Sequence, residues 1–179
     1  MSALWKQTGG VWPIGVSCSL TWLDLGAIAH ILQTAHIRNI VEIGVEHGGL
    51  GAYLEGYGYY TGCRYLGIDI TLNALHPKVR ADMAGSQIEQ RDAWSSATVA
   101  RVGQWIAEGD GPALIICDGG DKPRELRLYA TLLRPGDVLI GHDYGNEYGD
   151  AALAEMPATQ IRADWLDDTL LCMFVRGEG

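Results

Sequence analysis

Short apolar runs rich in β-branched residues alternate with helical stretches over most of this chain, and this alternation constrains the fold more than any other feature. The predicted strands lie at 39–44, 64–70, 86–93, 113–118 and 136–143. The predicted helices between them lie near 48–56, 76–84, 96–108 and 123–133. Because such alternation is typical of βαβ units, we expect an α/β fold with a doubly wound, mostly parallel sheet and helices on both faces.

Both ends of the chain depart from this alternation. An amphipathic helix is expected within 19–38, where Ser19 or Thr21 can act as its N-cap. Near the C-terminus, two strand candidates follow Pro157 and are separated by Asp167-Asp168, a turn-type pair. We therefore expect a C-terminal hairpin that adds an antiparallel strand at the edge of the sheet.

The organisation along the chain indicates a single domain over 1–179, since neither a linker nor an internal repeat interrupts it. Its expected parts are an N-terminal arm at 1–18, the first helix at 19–38 and the core sheet at 39–179. With 179 residues, 47% of them hydrophobic and 20% charged, the chain can bury one sizeable core.

Charge and cysteine content limit the partners and the compartment. The net charge is -9 and Lys and Arg do not cluster, so we expect no nucleic acid as a partner. No apolar run approaches the roughly 18 residues that a membrane span requires, so we expect no membrane association. The four cysteines lack CxxC spacing, which favours free thiols and a cytoplasmic location.

The stretch "NIVEIGVEHGGLGAYL", residues 39–54, runs from the first predicted strand into a turn that contains Gly44, Gly48 and Gly49. Glycine is required where φ is positive or where a Cβ atom would strike a ligand. In an open α/β sheet, ligands bind at this end of the strands, so the turn indicates a bound small molecule. An ordinary tight turn is the alternative. The spacing is not GxGxxG, which disfavours a nicotinamide-dependent oxidoreductase.

Carboxylates stand at the ends of the next two predicted strands. Asp69 lies 20 residues after Gly49, where it can accept hydrogen bonds from ribose hydroxyls, although it could instead cap the next helix. Asp92 can accept a hydrogen bond from an exocyclic amine, and Ala93 and Trp94 beside it offer apolar surface. Together these residues suit a nucleoside.

Four segments resemble successive motifs of the class I S-adenosylmethionine-dependent methyltransferases, which have a Rossmann-like fold. The segments are "VEIGVEHGGLGAYL", "YLGIDI", "QRDAW" and "ALIICDGGDKPRELRLYATLLRPGDVLIGHDYG". They are most similar to small-molecule O-methyltransferases of the cephalosporin hydroxylase-like and catechol-type groups. The resemblance covers 39–145 and implies methyl transfer from S-adenosylmethionine to an oxygen of a small-molecule acceptor. The alternative is a Rossmann-like protein that binds a nucleoside cofactor and performs other chemistry or only binds.

The resemblance also implies which residues contact the cofactor. They are Glu42 and Gly44 at the methionine moiety, Gly48 and Gly49 in the close backbone turn, Asp69 on the ribose, and Asp92 with Ala93 on the adenine. Glu42 could equally pair with a neighbouring backbone amide.

A second group of polar residues closes the fourth and fifth predicted strands. Asp118 ends the fourth, and His142 with Asp143 ends the fifth; in neighbouring strands these ends lie roughly 5 Å apart. The resemblance implies that they hold a divalent cation, Mg or Mn, which prepares the acceptor oxygen. This chain departs from the family by offering His142 in place of an acid, and imidazole suits Mn, Fe or Zn better than Mg.

Two other interpretations of the "HDYG" segment stay open. His142 could be a general base with a pKa near neutral, oriented by Asp143 or Asp118. Alternatively, the segment is a plain strand-to-loop turn in which Asp143 binds backbone and His142 packs.

Lys122, in "DGGDKPREL", is a further candidate catalytic residue, because burial could lower its pKa and let it take a proton from the acceptor. Helix initiation by Asp121 and Pro123 is the alternative explanation of that segment. The chain has little beyond its core sheet to cover a substrate. We therefore expect the N-terminal arm or a neighbouring subunit of a homo-oligomer to close the pocket.

Overall fold

The computed structural model describes residues 15–82 and 87–176, and within them a single seven-stranded sheet is surrounded by helices. The strands are β1 Asn39–Ile43, β2 Arg64–Asp69, β3 Gln87–Gln90, β4 Ala113–Cys117, β5 Val138–Gly141, β6 Thr159–Ile161 and β7 Cys172–Val175. The α-helices are α1 Trp22–Thr34, α2 Gly49–Thr61, α3 Pro77–Asp82, α4 Ser96–Glu108 and α5 Lys122–Ala130. Of the predicted N-terminal arm, 1–14 lie outside the described residues.

The strand order is β3-β2-β1-β4-β5-β7-β6, with β1 to β5 parallel and β7 antiparallel to both of its neighbours. This arrangement confirms the predicted doubly wound, mostly parallel sheet. The chain runs outward from β1 to β3 and then returns to place β4 on the other side of β1. The crevice between β1 and β4 is therefore the switch point, where open α/β sheets bind ligands.

Apolar residues on both faces of the central strands explain why the sheet is covered on both sides. All five residues of β1 and all five of β4 are buried. Alternate residues face opposite layers: Ile40 packs into one core cluster with α1, and Val41 packs into the other with α4 and α5. Because β1 and β4 are also parallel neighbours, their buried carboxyl ends lie side by side at the same end of the sheet.

The C-terminal strands differ from the prediction in two respects. β6 and β7 are joined by residues 162–171, which include the 3-10 helix Asp164–Leu166, and not by a two-residue turn at Asp167-Asp168. The antiparallel strand β7 lies between β5 and β6, so β6 forms the edge. The longer connection follows from its apolar residues, because Leu166 and Leu171 are buried in the core.

Helix α1 begins with the predicted cap. Thr21 is the N-cap and forms a capping box with Asp24, in which each side chain accepts a hydrogen bond from the backbone of the other residue. The four cysteines are free, as predicted. Among the described residues, no helix combines the length and the apolar character that would let it cross a bilayer.

Candidate active site

A cavity of about 690 Å³ opens at the carboxyl ends of the five parallel strands, and its size is typical of small-molecule sites. Most of the predicted site residues line it. They are Glu42, Gly44, Gly49, Asp69, Asp92, Ala93, Asp118, Lys122 and Asp143. Gly48 and His142 lie outside the lining. The segment 17–20, where the predicted arm meets the predicted first helix, also lines the cavity.

The glycine turn is shaped by close approaches of the chain to itself. Gly44 has a φ of 89°, and a Cβ atom there would strike the backbone carbonyl of Asp118. Gly48 has a φ of 83°, and its Cβ would strike side chains on and before α3. At Gly49 the obstacle would be the backbone carbonyl of Ser17. The glycines thus let three other segments pack against the turn that borders the cavity.

Asp69 holds the glycine turn through its carboxylate. Oδ2 accepts hydrogen bonds from the backbone N–H groups of Val45 (2.8 Å) and Glu46 (3.0 Å), and Oδ1 accepts one from Thr71 N–H (3.0 Å). The side chain also lines the cavity. A carboxylate offers about four acceptor positions, so one further donor can still be accommodated.

Glu42, on β1, is a buried acid at the floor of the cavity. It is 2% exposed, and the Tyr65 hydroxyl donates a hydrogen bond to its Oε2. Burial is the main cause that raises the pKa of Glu42 to about 8, with the charges of Asp118 and Asp69 adding to it. The side chain is therefore mostly protonated at neutral pH.

Apolar surface borders the cavity at the ends of β2 and β3. Ala93, Trp94 and Ile70 line it, and the Ile70 side chain is 70% exposed. The Tyr129 hydroxyl donates to the Ala93 carbonyl (2.7 Å), which ties this loop to α5. The Asp92 carboxylate accepts a hydrogen bond from the Trp94 N–H (2.9 Å). Exposed apolar side chains at a cavity wall suit the faces of a flat heterocycle.

The second group of predicted residues comes together because β4 and β5 are neighbours. Cys117 pairs with Gly141, so Asp118 and His142 follow side by side. His142 Nδ1 lies 3.1 Å from Asp118 Oδ1 and 3.4 Å from Asp143 Oδ2. Ligands about 2.1 Å from one ion are separated by roughly 3.0–3.5 Å, so the two contacts of His142 match the spacing of ligands on one divalent cation. All three residues have ligand atoms within 4.8 Å of one another.

The far nitrogen of His142 faces a carboxylate from α1. Nε2 lies 3.7 Å from Asp24 Oδ2, and His142 is 2% exposed. Burial lowers the pKa of this imidazole, but its contacts with Asp118 and Asp24 outweigh burial and raise the pKa to about 10. In the absence of a metal the imidazole is therefore charged at neutral pH, and the prediction of a base with a near-neutral pKa is wrong.

Lys122 is also unsuited to act as a base. Its Nζ lies 2.8 Å from Asp143 Oδ2, 2.8 Å from Glu147 Oε2 and 3.8 Å from Asp118 Oδ1. Burial lowers the pKa of Lys122, but these three carboxylates outweigh burial and raise the pKa above its ordinary value. The predicted lowering is therefore wrong, and Lys122 is a fixed positive charge beside the cavity.

No family model and no curated protein sequence matches the chain. Solved structures do match. A CmcI structure with Mg and SAM is 23% identical, with a TM-score of 0.61 over 79% of this chain and 59% of that chain. A CmcI structure with SAH is 20% identical, with a TM-score of 0.64 over 96% and 84% of the two chains.

A third match is a structure described as a caffeoyl-CoA O-methyltransferase from Staphylococcus aureus. It is 14% identical, with a TM-score of 0.63 over 87% of this chain and 83% of that chain. This chain has the class I S-adenosylmethionine-dependent methyltransferase fold. In this fold the cavity lies at the switch point between β1 and β4, where the glycine turn meets Asp118, His142 and Asp143, here called the Asp118 cluster.

Four residues beside the cavity or the cluster were not predicted from the sequence. Asp24 contacts His142, Glu147 contacts Lys122, Tyr65 contacts Glu42, and Ile70 lines the cavity. The capping-box pattern at Thr21 does identify Asp24, but only as a helix cap. Ile70 could have been found from its place directly after the strand-end Asp69.

Proposed function

We propose that this protein transfers the methyl group of S-adenosylmethionine to an oxygen of a small molecule, assisted by a divalent cation. One observation carries the proposal: a single cavity joins the glycine turn, the strand-end Asp69 and the carboxylates of Asp118 and Asp143. A cofactor and an acceptor can therefore lie side by side. The likeness of the fold to CmcI structures with SAM and SAH supports the choice of cofactor.

The residues on one side of the cavity suit the three parts of the cofactor. The Asp69 carboxylate fixes the turn at 44–49 through two backbone hydrogen bonds, accepts a third from Thr71 N–H, and keeps one acceptor position for a ribose hydroxyl. Ile70 and Trp94 provide apolar surface for the adenine, with Asp92 as an acceptor for its amine. Glu42 lies at the floor near the predicted methionine moiety, where its protonated form can donate a hydrogen bond.

The acceptor side contains the groups that orient the nucleophile. S-adenosylmethionine supplies an electrophilic methyl group on sulfur, and a divalent cation supplies a Lewis acid that lowers the pKa of the acceptor hydroxyl. Asp118, His142 and Asp143 would hold the cation, because their ligand atoms lie within 4.8 Å of one another. Lys122 adds a fixed positive charge beside them, which favours an anionic acceptor oxygen.

The first test is calorimetric titration of chelator-treated protein with S-adenosylmethionine, S-adenosylhomocysteine and NAD, repeated with Mg²⁺ and with Mn²⁺. We expect both sulfur nucleosides to bind and NAD not to bind. A separate heat for the metal should be lost in Asp118→Asn and kept in Glu108→Gln. Glu108 is an exposed acid at the end of α4, whose C-terminus faces the opposite edge of the sheet.

Methyl transfer is then assayed by formation of S-adenosylhomocysteine with a panel of phenols, alcohols and hydroxy acids. Failure of either sulfur nucleoside to bind would contradict the cofactor assignment. Binding without turnover on any acceptor would instead favour a protein that binds the nucleoside and does not methylate.

A further inference from the structure

Asp24 is a fully buried carboxylate that lies behind the Asp118 cluster, on the side away from the cavity. Its Oδ2 accepts hydrogen bonds from the Thr21 N–H and hydroxyl, both at 2.7 Å, and its Oδ1 accepts one from the Leu170 N–H at 2.8 Å. The side chain is 0% exposed and does not line the cavity. These contacts hold the carboxylate in one orientation, with Oδ2 facing His142.

His142 presents its two ring nitrogens to different neighbours. Nδ1 faces Asp118 Oδ1 at 3.1 Å and Asp143 Oδ2 at 3.4 Å, which are the two carboxylates of the candidate cation site. Nε2 is buried, has no hydrogen-bond partner within 3.5 Å, and lies 3.7 Å from Asp24 Oδ2. A small rotation of the ring would bring Nε2 into hydrogen-bond range of Asp24.

A neutral imidazole carries one N–H, and the partner of that N–H decides which nitrogen can bind a metal. Without a metal both nitrogens face carboxylates, because Nδ1 lies within hydrogen-bond distance of Asp118 Oδ1 and Nε2 faces Asp24. When a cation occupies the Asp118 and Asp143 oxygens, Asp24 is the carboxylate left to accept the imidazole proton, so it favours that proton on Nε2. The lone pair of Nδ1 then faces Asp118 and Asp143. In other metal sites, such outer carboxylates fix the tautomer and raise the basicity of the ligand.

We propose that Asp24 is a positioning residue that holds the His142 proton on Nε2 and thereby presents Nδ1 as the third ligand of the divalent cation. This inference rests on the proposed cation at Asp118, His142 and Asp143. It adds that a carboxylate on α1 orients the imidazole ligand. The first helix, which lies before the nucleotide-binding core in the chain, thus becomes part of the metal site.

The first test is Mn²⁺ affinity, measured from the electron paramagnetic resonance signal of free Mn²⁺ in titrations of the full-length protein. Asp24→Asn is nearly isosteric and keeps an oxygen for the Leu170 N–H, but its amide can donate to Nε2 and so favours the proton on Nδ1. We expect Mn²⁺ affinity to fall by about 10- to 100-fold. The matched control is Thr21→Ala, which removes the hydroxyl of the cap and leaves the carboxylate beside His142.

The second test is ¹⁵N spectroscopy of histidine-labelled protein loaded with Zn²⁺, which reports the state of each ring nitrogen without an activity assay. We expect His142 to show a protonated Nε2 and a metal-bound Nδ1 in the unsubstituted protein and in Thr21→Ala. This pattern should be lost in Asp24→Asn. A protonated Nδ1 in the unsubstituted protein would overturn the proposal even if the Asn variant failed to fold.

Titration of the same samples with S-adenosylhomocysteine separates this inference from the proposed function. Equal Mn²⁺ affinity in Asp24→Asn and the unsubstituted protein would overturn the role of Asp24 and leave the metal-assisted function standing. Absence of Mn²⁺ and Zn²⁺ binding in a protein that binds S-adenosylhomocysteine would overturn this inference and the metal role, but not the cofactor assignment.

Discussion

The ammonium group of Lys122 lies 2.8 Å from Asp143 Oδ2, inside the group of residues proposed to hold a divalent cation. It also lies 3.8 Å from Asp118 Oδ1, so it contacts both carboxylates of the site. The third contact of the ammonium group is with Glu147 Oε2, at 2.8 Å and nearer to solvent. The Lys122 ammonium group therefore compensates the negative charge of the site. A divalent ion must share these carboxylates with Lys122 or displace its ammonium group toward Glu147.

Replacement of Lys122 by Met tests this competition. We expect Mg²⁺ and Mn²⁺ to bind about tenfold more tightly or better, because the repulsion between the ammonium group and the metal is removed. Without metal, the variant should unfold with a free energy lower by about 2 kcal/mol, since Asp143 would lose its nearest cationic partner and keep only His142 at 3.4 Å. Calorimetric metal titration and urea unfolding measure the two effects.

Lys122→Arg keeps the charge and serves as the control for both measurements. It should show neither tighter metal binding nor a loss of stability of that size. Unchanged metal affinity in the Met variant would show that Lys122 does not oppose the cation.

Replacement of Asp69 by Asn tests whether this side chain holds the glycine turn. The Asn side chain keeps one acceptor oxygen but presents an NH₂ group to backbone N–H donors at 45–46 or at Thr71. We expect the free energy of unfolding without cofactor to fall by about 1–3 kcal/mol, because at least one backbone donor loses its partner. Urea unfolding with and without S-adenosylhomocysteine measures it.

Asp92→Asn is the comparison for Asp69, because the Asp92 carboxylate is exposed and accepts a single N–H bond from Trp94. Its stability should change by less than about 0.5 kcal/mol. If Asp69→Asn weakens S-adenosylhomocysteine binding with unchanged stability, the carboxylate acts on the ligand and not on the turn.

The architecture could be predicted because each element carries its own local signal. The β-branched runs at β1 and β4 and the helical spacing between them are visible over a few residues, and strand adjacency then brings Asp118 to His142. The C-terminal connection could not be predicted in this way. Its length depends on the burial of Leu166 and Leu171 against distant parts of the core.

The protonation states at the site could not be predicted, because they depend on partners far away in sequence. His142 is kept charged by Asp118 and by Asp24, which lies 118 positions earlier, and Lys122 is kept charged despite its burial by Asp143 and Glu147. A motif shows which residues end a strand, whereas the charge of each residue depends on every carboxylate that the fold brings within a few ångströms.

Stability should fall as the pH rises through the pKa of Glu42. The folded-state pKa of about 8 lies above the unfolded value of 4.5, so the contribution of Glu42 is complete below pH 4.5 and is lost progressively up to about pH 8. Glu42→Gln keeps an acceptor for the Tyr65 hydroxyl and cannot ionise. Its stability relative to the unsubstituted protein should rise over this window, by at most about 1.4 kcal/mol per pH unit.

Urea unfolding at intervals between pH 5 and pH 9 provides the comparison for Glu42. Parallel stability profiles of the two proteins would show that folding does not raise the pKa of Glu42. Glu108→Gln, which alters an exposed acid, should leave the profile unchanged and serves as the control.

Replacement of Ile70 by Ser tests the apolar wall of the cavity. Ile70 is 70% exposed, so its contribution to the fold is small, and the free energy of unfolding should change by less than about 0.5 kcal/mol. If the adenine of the cofactor lies against this side chain, S-adenosylhomocysteine affinity should fall about tenfold, because apolar contact area is lost on binding. Tyr59→Ser is the matched control, since Tyr59 is 85% exposed and lies outside the cavity lining. Calorimetric titration that finds equal affinities for the Ile70 variant and the Tyr59 control would place the adenine elsewhere.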